Sequence, residues 1–402
     1  MVCPWKTVLP VLILGVCGRI AAADAEPHQV AVYYFPNYHL APQNEARYGQ
    51  GWTEWTLLRA ATPRFPGHLQ PKVPAWGYED ESDPKVMARK IAAAADHGIT
   101  AFIFDWYWYD GKLFLEKALN DGFLKAAKPG GLKFALMWAN HNWMEIFPAK
   151  DGIRQDLIYP GAVSREVFDT LTDHVIRDYF LHPNYWKIDG KPYFSIYETR
   201  TFIHGLGGLS QAGEALDDFR AKVRKAGLPG LHLNAVGWGN QVTPAVIKAL
   251  GIDSVTSYCW AHHAGMDEHP ATPYPAYVER SAASWEQQKK RWPVPYYPNV
   301  SMGWDSSPRT TQSDPLNNQG YPYTNVLVGN TPEEFKKSLQ RAKAFLDADP
   351  SGPRILTINA WNEWTEGSYL EPDTLHGMKY LEAIREVFRP VDPQPNSPST
   401  TP

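Results

Sequence analysis

Two glutamates, Glu363 and Glu366, stand three residues apart in the segment Asn359-Ala360-Trp361-Asn362-Glu363-Trp364-Thr365-Glu366-Gly367. Carboxyl groups at that spacing can share one site. A pair of carboxyls, one kept protonated by apolar surroundings, is the common equipment for breaking a glycosidic bond. The indoles of Trp361 and Trp364 would supply such surroundings. The spacing alone is not selective, because a lone Glu also caps helices or pairs with a base such as Arg354. Glu54 and Glu198 are further carboxylate candidates. Metal chemistry has little support. His262, His263, His269 and Asp267 lie close together in sequence, but no H-E-x-x-H or C-x-x-C spacing occurs, so neither a metal nor a cofactor is expected. A serine nucleophile would want a G-x-S-x-G, which is missing, and Cys259 in its apolar run suits a core.

The composition narrows the setting. The chain has 402 residues, 39 Lys+Arg against 43 Asp+Glu and a net charge of -4, which offers no basic field to a nucleic-acid backbone. Its 44% hydrophobic content excludes a disordered chain. The 16 Trp and 21 Tyr either fill a core or line a surface for flat apolar ligands. At the start, Lys6, the apolar run Val8 to Val16 and Ala21-Ala22-Ala23 have the order of a secretory leader over residues 1–23. The run is short of the roughly 20 residues that span a bilayer. Val16 is too bulky for a lipobox before Cys17. A secreted or periplasmic protein is expected, a monomer with no membrane contact once the leader is cleaved. Cys3 and Cys17 leave with the leader, so only Cys259 remains and stability must come from a large core.

The elements that would position the carboxyls follow from the hydrophobic pattern. Short apolar runs predict strands at Val30 to Pro36, Ala101 to Trp106, Phe134 to Ala139, Tyr193 to Tyr197, Leu231 to Val236, Ser254 to Cys259, Tyr296 to Met302 and Ile355 to Ala360. Amphipathic patterns between them predict helices at Pro84 to His97, Phe114 to Lys128, Arg165 to Leu181, Gln211 to Lys225, Pro244 to Leu250, Ser284 to Trp292, Pro332 to Leu346 and Met378 to Phe388. Strand then helix, eight times, is the pattern of a single (β/α)₈ TIM barrel, an α/β fold. Residues 24–388 form that domain, with long βα loops at Arg47 to Gly77 and His262 to Ala282. A Pro/Ser/Thr tail, 389–402, is expected to be disordered. A doubly wound sheet would want a Gly-rich turn after its first strand, and Tyr34-Phe35-Pro36-Asn37-Tyr38-His39 contains no glycine.

In such a barrel the active face lies at the C-terminal strand ends. Those ends carry Tyr38 and His39; Asp105, Trp106 and Tyr107; Trp138, Asn140 and Asn142; Tyr197 and Glu198; Trp238 and Asn240; Trp260; Trp304 and Asp305; and Trp361, Asn362 and Trp364 beside the two glutamates. Tyr34 on the first strand, and Trp52, Glu54 and Trp55 in the loop after it, complete the set of expected substrate contacts. An aromatic beside a carboxylate, amide or imidazole at nearly every strand end suits a sugar, whose C–H faces pack on indoles while its hydroxyls take polar partners. The alternative is that the aromatics plug the barrel mouth.

Taken in order, several motifs resemble one family. They are Tyr33-Tyr34-Phe35-Pro36, Gly51-Trp52-Thr53-Glu54-Trp55, His68-Leu69-Gln70-Pro71, Asp105-Trp106-Tyr107-Trp108, Trp138-Ala139-Asn140-His141-Asn142-Trp143, and Trp361 to Gly367 with Glu371-Pro372. Across nearly the whole chain they resemble the WbsX-like family, related to glycoside hydrolase family 99, the endo-α-mannosidases and endo-α-mannanases. The resemblance implies metal-independent hydrolysis with retention, and an endo-glycosidase acting on an α-linked polysaccharide or glycan is expected, with mannose one candidate sugar. Because the front half of the chain looks like the WbsX branch, mannose specificity is not carried over. It makes Glu366 the acid/base and Glu363 the base that draws the proton from the substrate's own 2-hydroxyl. His141 and Met144 stand where other polar residues of the branch are expected. Two rivals remain, a glycosyltransferase and a non-catalytic carbohydrate-binding protein.

Overall fold

A computed structural model describes residues 1, 27–128, 130–237 and 242–389. The expected leader beyond Met1, the tail beyond Arg389, and Trp238 and Asn240 lie outside the described residues.

Nine parallel strands build the central sheet: β1 (Gln29–Tyr34), β2 (Ala101–Tyr109), β3 (Lys133–Trp138), β4 (Lys191–Ile196), β5 (His232–Val236), β6 (Ser254–Thr256), β7 (Tyr296–Tyr297), β8 (Asn299–Ser301) and β9 (Ile355–Asn359). Their order is β7-β6-β5-β4-β3-β2-β1-β9-β8. The two ends of that order are one chain segment, because only Pro298 separates β7 from β8. Proline has no N–H to give to a ladder, so the strand breaks there. The piece before the break pairs with β6 and the piece after it with β9. The carbonyl of Pro298 still accepts from the Thr357 amide at 3.0 Å. The sheet therefore closes as an eight-stranded barrel whose seventh strand is in two parts.

Helices separate the strands except at the Pro298 break, and several helix starts show capping chemistry. Asp83, Thr243 and Thr331 each accept a hydrogen bond from a backbone N–H in the first turn of the helix that follows, and each helix opens on a proline. Two expected helices differ from those observed. The helix expected from Phe114 begins at Ala118, because β2 rises above the barrel rim and turns back as Lys112–Phe114. Asp110-Gly111 makes that two-residue turn with positive φ at both positions, the chemistry of a tight hairpin. The helix expected from Ser284 begins at Tyr274, inside the supposed loop, because Pro275 sits in its first turn, where proline is welcome.

Alternation along the strands decides what reaches the mouth. Asp105 and Tyr107 on β2 face the interior. Trp106 between them faces outward, its ring 6.2 Å from His174 and 6.3 Å from Tyr179 of the next helical layer. The interior under the mouth is polar on one side. Asn234 bonds Ser195 at 2.8 Å and Ser254 at 2.9 Å, His232 bonds Ser254 at 2.8 Å, and Asn299 donates to Thr357 at 3.1 Å. Satisfied buried networks of this kind fix side-chain positions below a site.

Candidate active site

A cleft of about 710 Å³ opens over the C-terminal strand ends. Asp105, Tyr107, Tyr197, Glu198, Tyr258, Arg309, Glu363 and Glu366 are part of its wall, with Trp143, Trp304 and Tyr321. At its centre is one cation. Arg309, 4% exposed, comes from the long loop after β8. Its Nε donates to Glu54 at 2.7 Å, and one terminal nitrogen lies 3.7 Å from Glu363 Oε1. Its other terminal nitrogen donates to Glu366, and its guanidinium lies 5.1 Å from the centroid of the Phe35 ring. Burial works against its charge, but Glu54, Tyr321, Glu366 and Glu363 together hold it protonated. One guanidinium thus serves three buried carboxyls, with Asp105 as a fourth nearby.

Those carboxyls are not equivalent. Burial, reinforced by the charge of Glu366, pushes Glu363 well above the usual carboxylate range; Arg309 opposes this. Glu363 Oε2 lies 2.7 Å from the Tyr258 hydroxyl oxygen and accepts from Asn359 at 3.4 Å. Burial also raises Glu366, but Arg309 and the Tyr321 hydroxyl at 2.7 Å pull it down. Tyr321 is 46% exposed, so the residue that reaches this acid stands at the open mouth. Burial raises Asp105 well above its usual range as well, against the hydrogen bond from Tyr258 at 2.8 Å.

The segment carrying the two glutamates is held from behind. Glu371 accepts from the indole of Trp361 at 2.9 Å and from that of Trp364 at 2.7 Å. Asn362 clasps the backbone of Phe35 through both its amide atoms, at 2.8 and 2.7 Å. Gly367 ends the short helical turn with φ +64°, and a Cβ there would lie 2.7 Å from the Cβ of Asp305. Asp305 in turn takes hydrogen bonds from His68 at 2.9 Å and Gln70 at 2.6 Å.

Of the expected site residues, the structure brings Asp105, Tyr107, Asn142, Tyr197, Glu198, Trp304, Glu363 and Glu366 to the cleft wall. The other expected residues among those described sit off the wall, which corrects the expectation that they line the cleft. Trp138 packs outward on Phe168 and Phe202, and Trp260 packs on Tyr274, Tyr277 and Trp285. Trp106, Trp361 and Trp364 are likewise buried behind the wall. Tyr34 and His39 both bind Glu81, and Asn140 and Asn362 bind backbone. Trp55 stacks on Tyr38, and Trp52 stacks on Tyr48. Glu54 acts through Arg309. Most of these strand-end indoles neither line the cleft nor plug the mouth: strand alternation turns Trp106 and Trp138 toward the helices, where they fill core.

Residues 30–384 match the family model described as Glycosyltransferase WbsX. The chain belongs to this family. Two Xanthomonas campestris pv. campestris relatives, each named Uncharacterized protein WxcX, are similar to it. One, from strain ATCC 33913, is 29% identical over 388 residues, covering 92% of this chain and 51% of the relative. The other, from strain B100, is 28% identical over 381 residues, covering 92% and 50%. This WbsX-family chain therefore spans about half the length of the curated relatives it matches. Among solved structures, a protein named Glycoside hydrolase-like protein aligns with a TM-score of 0.57 at 15% identity, over 96% of this chain and 97% of that one. The GH99 endo-alpha-mannosidase from Bacteroides thetaiotaomicron aligns with a TM-score of 0.54 at 15% identity, over 89% and 95%. These likenesses show the fold: this WbsX-family chain shares the barrel of those two proteins.

Sequence reasoning missed Arg309, Tyr258 and Tyr321 in this WbsX site. A signal existed for the first. Several carboxylates at one barrel mouth demand a cation, and Arg309 lies in a βα loop, five residues after Trp304.

Proposed function

We propose that this protein is an exported glycoside hydrolase that cleaves an α-linked glycan with retention. The observation that carries this reading is the buried pair Glu363 and Glu366, three residues apart on one turn, both bound to Arg309 at the barrel mouth. In this reading Glu366 gives its proton to the leaving oxygen. Glu363 takes the proton of the sugar's 2-hydroxyl, whose oxygen closes on the anomeric carbon as the glycosidic bond breaks. Water, deprotonated by Glu366, then opens the 1,2-anhydro sugar, and Glu363 returns its proton to the 2-oxygen. Two inversions give retention, and no enzyme nucleophile is used. Aromatic and polar residues around the cleft support a sugar, and the leader-like residues 1–23 support export.

The test is a panel of polysaccharides with NMR of the first-formed anomer. Glu366→Gln should bind glycan without cleaving it, and undiminished turnover would sink the assignment. The family's own description makes a glycosyltransferase the second reading. Turnover of a nucleotide sugar by the purified protein, with no hydrolysis across the panel, would favour it.

A further inference from the structure

The Tyr258 oxygen lies 2.8 Å from Asp105 Oδ2 and 2.7 Å from Glu363 Oε2. A phenol has one hydrogen to donate. It can therefore satisfy one ionised carboxylate, and the other carboxyl can bond to the phenol oxygen only by carrying a proton itself. Asp105 and Glu363 are each 3% exposed, so solvent has little access to supply the missing donor. Among the described residues Asp105 Oδ1 has no hydrogen-bond partner, and Tyr258 is the one hydrogen-bonding tie of that carboxyl.

We propose that Asp105, Tyr258 and Glu363 form a proton relay, in which the two carboxyls share one proton through the phenol and Asp105 holds it whenever Glu363 acts as base. In the transfer, the O–H bond of Glu363 breaks as its proton passes to Tyr258 Oη, and the phenol's own proton passes to Asp105 Oδ2. The negative charge moves from Asp105 to Glu363, and the pair's total charge is unchanged. The relay resolves a conflict in the site. Glu363 is the more deeply raised of the two glutamates, yet the glycosidase reading on which this inference's catalytic meaning rests requires it ionised.

Other groups facing the pair set the background. Arg309 and Tyr321 come from the loop after β8 and Glu366 from the same turn as Glu363. Tyr33 and Tyr38 come from β1 and its loop, Tyr107 from β2 and Tyr197 from the end of β4. Burial raises Tyr33, Tyr38, Tyr107 and Tyr197 well above the ordinary phenol value, so Arg309 and Glu366 are the charges that matter.

The experiment is a pH titration of purified wild type, Asp105→Asn, Glu363→Gln and Tyr258→Phe, followed through side-chain carboxyl carbons by NMR. Asp105→Asn removes the neighbouring charge and keeps a donor for the phenol oxygen. It should lower the titration of Glu363 by about one pH unit or more, the size at which two sites titrate as a pair. Glu363→Gln should lower Asp105 in the same way. Tyr258→Phe removes the one phenol hydrogen that favours the ionised form of whichever carboxyl it serves and should raise both titrations. A Glu363 titration unmoved by Asp105→Asn, or moved in the same direction by Tyr258→Phe, would overturn the relay. These readings need no substrate. If the shifts appear and no glycan is cleaved, the relay stands and the hydrolase reading fails; where glycan is cleaved, the acid limb of kcat/KM should move with the NMR titration.

Discussion

Lys90 and Glu371 form an ion pair of 2.7 Å directly behind the turn that carries Glu363 and Glu366. Lys90 is 2% exposed and Glu371 4%. Because Glu371 also holds both indoles of the turn, the pair is the back wall of the segment that carries the two glutamates. Glu371→Ala would leave the buried Lys90 ammonium with only the longer 3.9 Å contact to Glu81 as an ion pair, and two indole N–H groups without acceptors. We expect a loss of about 3–5 kcal/mol in denaturant unfolding. The double change Lys90→Met with Glu371→Gln should cost less than Glu371→Ala alone.

The indoles divide by position. Trp364 is fully buried and stacked 3.8 Å from Tyr369, so Trp364→Ala should destabilise by about 3–5 kcal/mol. Trp304 forms cleft wall, and Trp304→Ala should weaken glycan binding about tenfold, measured by calorimetry, with the smaller stability loss of the two. Equal stability losses would return Trp304 to the core.

Two carboxyls should respond to pH in opposite ways. Burial opposes the charge of Asp305, but His68 and Lys72 outweigh it and hold Asp305 below its ordinary value. Its contribution is present above the unfolded value of about 3.9 and is lost as pH falls through the folded one. The stability gap between wild type and Asp305→Asn should therefore shrink in acid. Glu363 is raised, so the folded state binds its proton more tightly and its ionisation costs stability as pH climbs above about 4.3. Glu363→Gln should be more thermostable than wild type at pH 7, and that gain should fade toward pH 4.

Arg309 is the guanidinium common to Glu54, Glu363 and Glu366. Arg309→Met leaves those carboxyls unpaired and should lower the thermal midpoint. It should also cut turnover at least about a hundredfold, the effect of losing a positioned charge in a dry site. Arg309→Lys restores charge without the fork and should recover stability better than turnover.

The barrel was legible because parallel strands buried on both faces appear as near-continuous apolar runs. All eight predicted strands have counterparts, and the broken seventh differs only at Pro298. The Asp110-Gly111 hairpin was legible too, had the two-residue turn been weighed against the helix pattern beyond it. At the site, Glu363 and Glu366 could be found because chemistry and neighbours coincide within nine residues of sequence. Arg309 could not be paired with Glu54 across a separation of 255 residues without the fold. Tyr258 and Trp106 show the remaining limit. Both lie at strand ends, and only the phase of alternation sends one into the cleft and the other behind it.

Gly367 turns this geometry into a marker for reading relatives. Any side chain there would meet Asp305 and meet it from a backbone conformation that side chains avoid, so the turn could not keep Glu366 against Arg309. A WbsX-family sequence that has kept both glutamates but lost this glycine should have kept the letters of the site without its chemistry, and could be set aside before any assay.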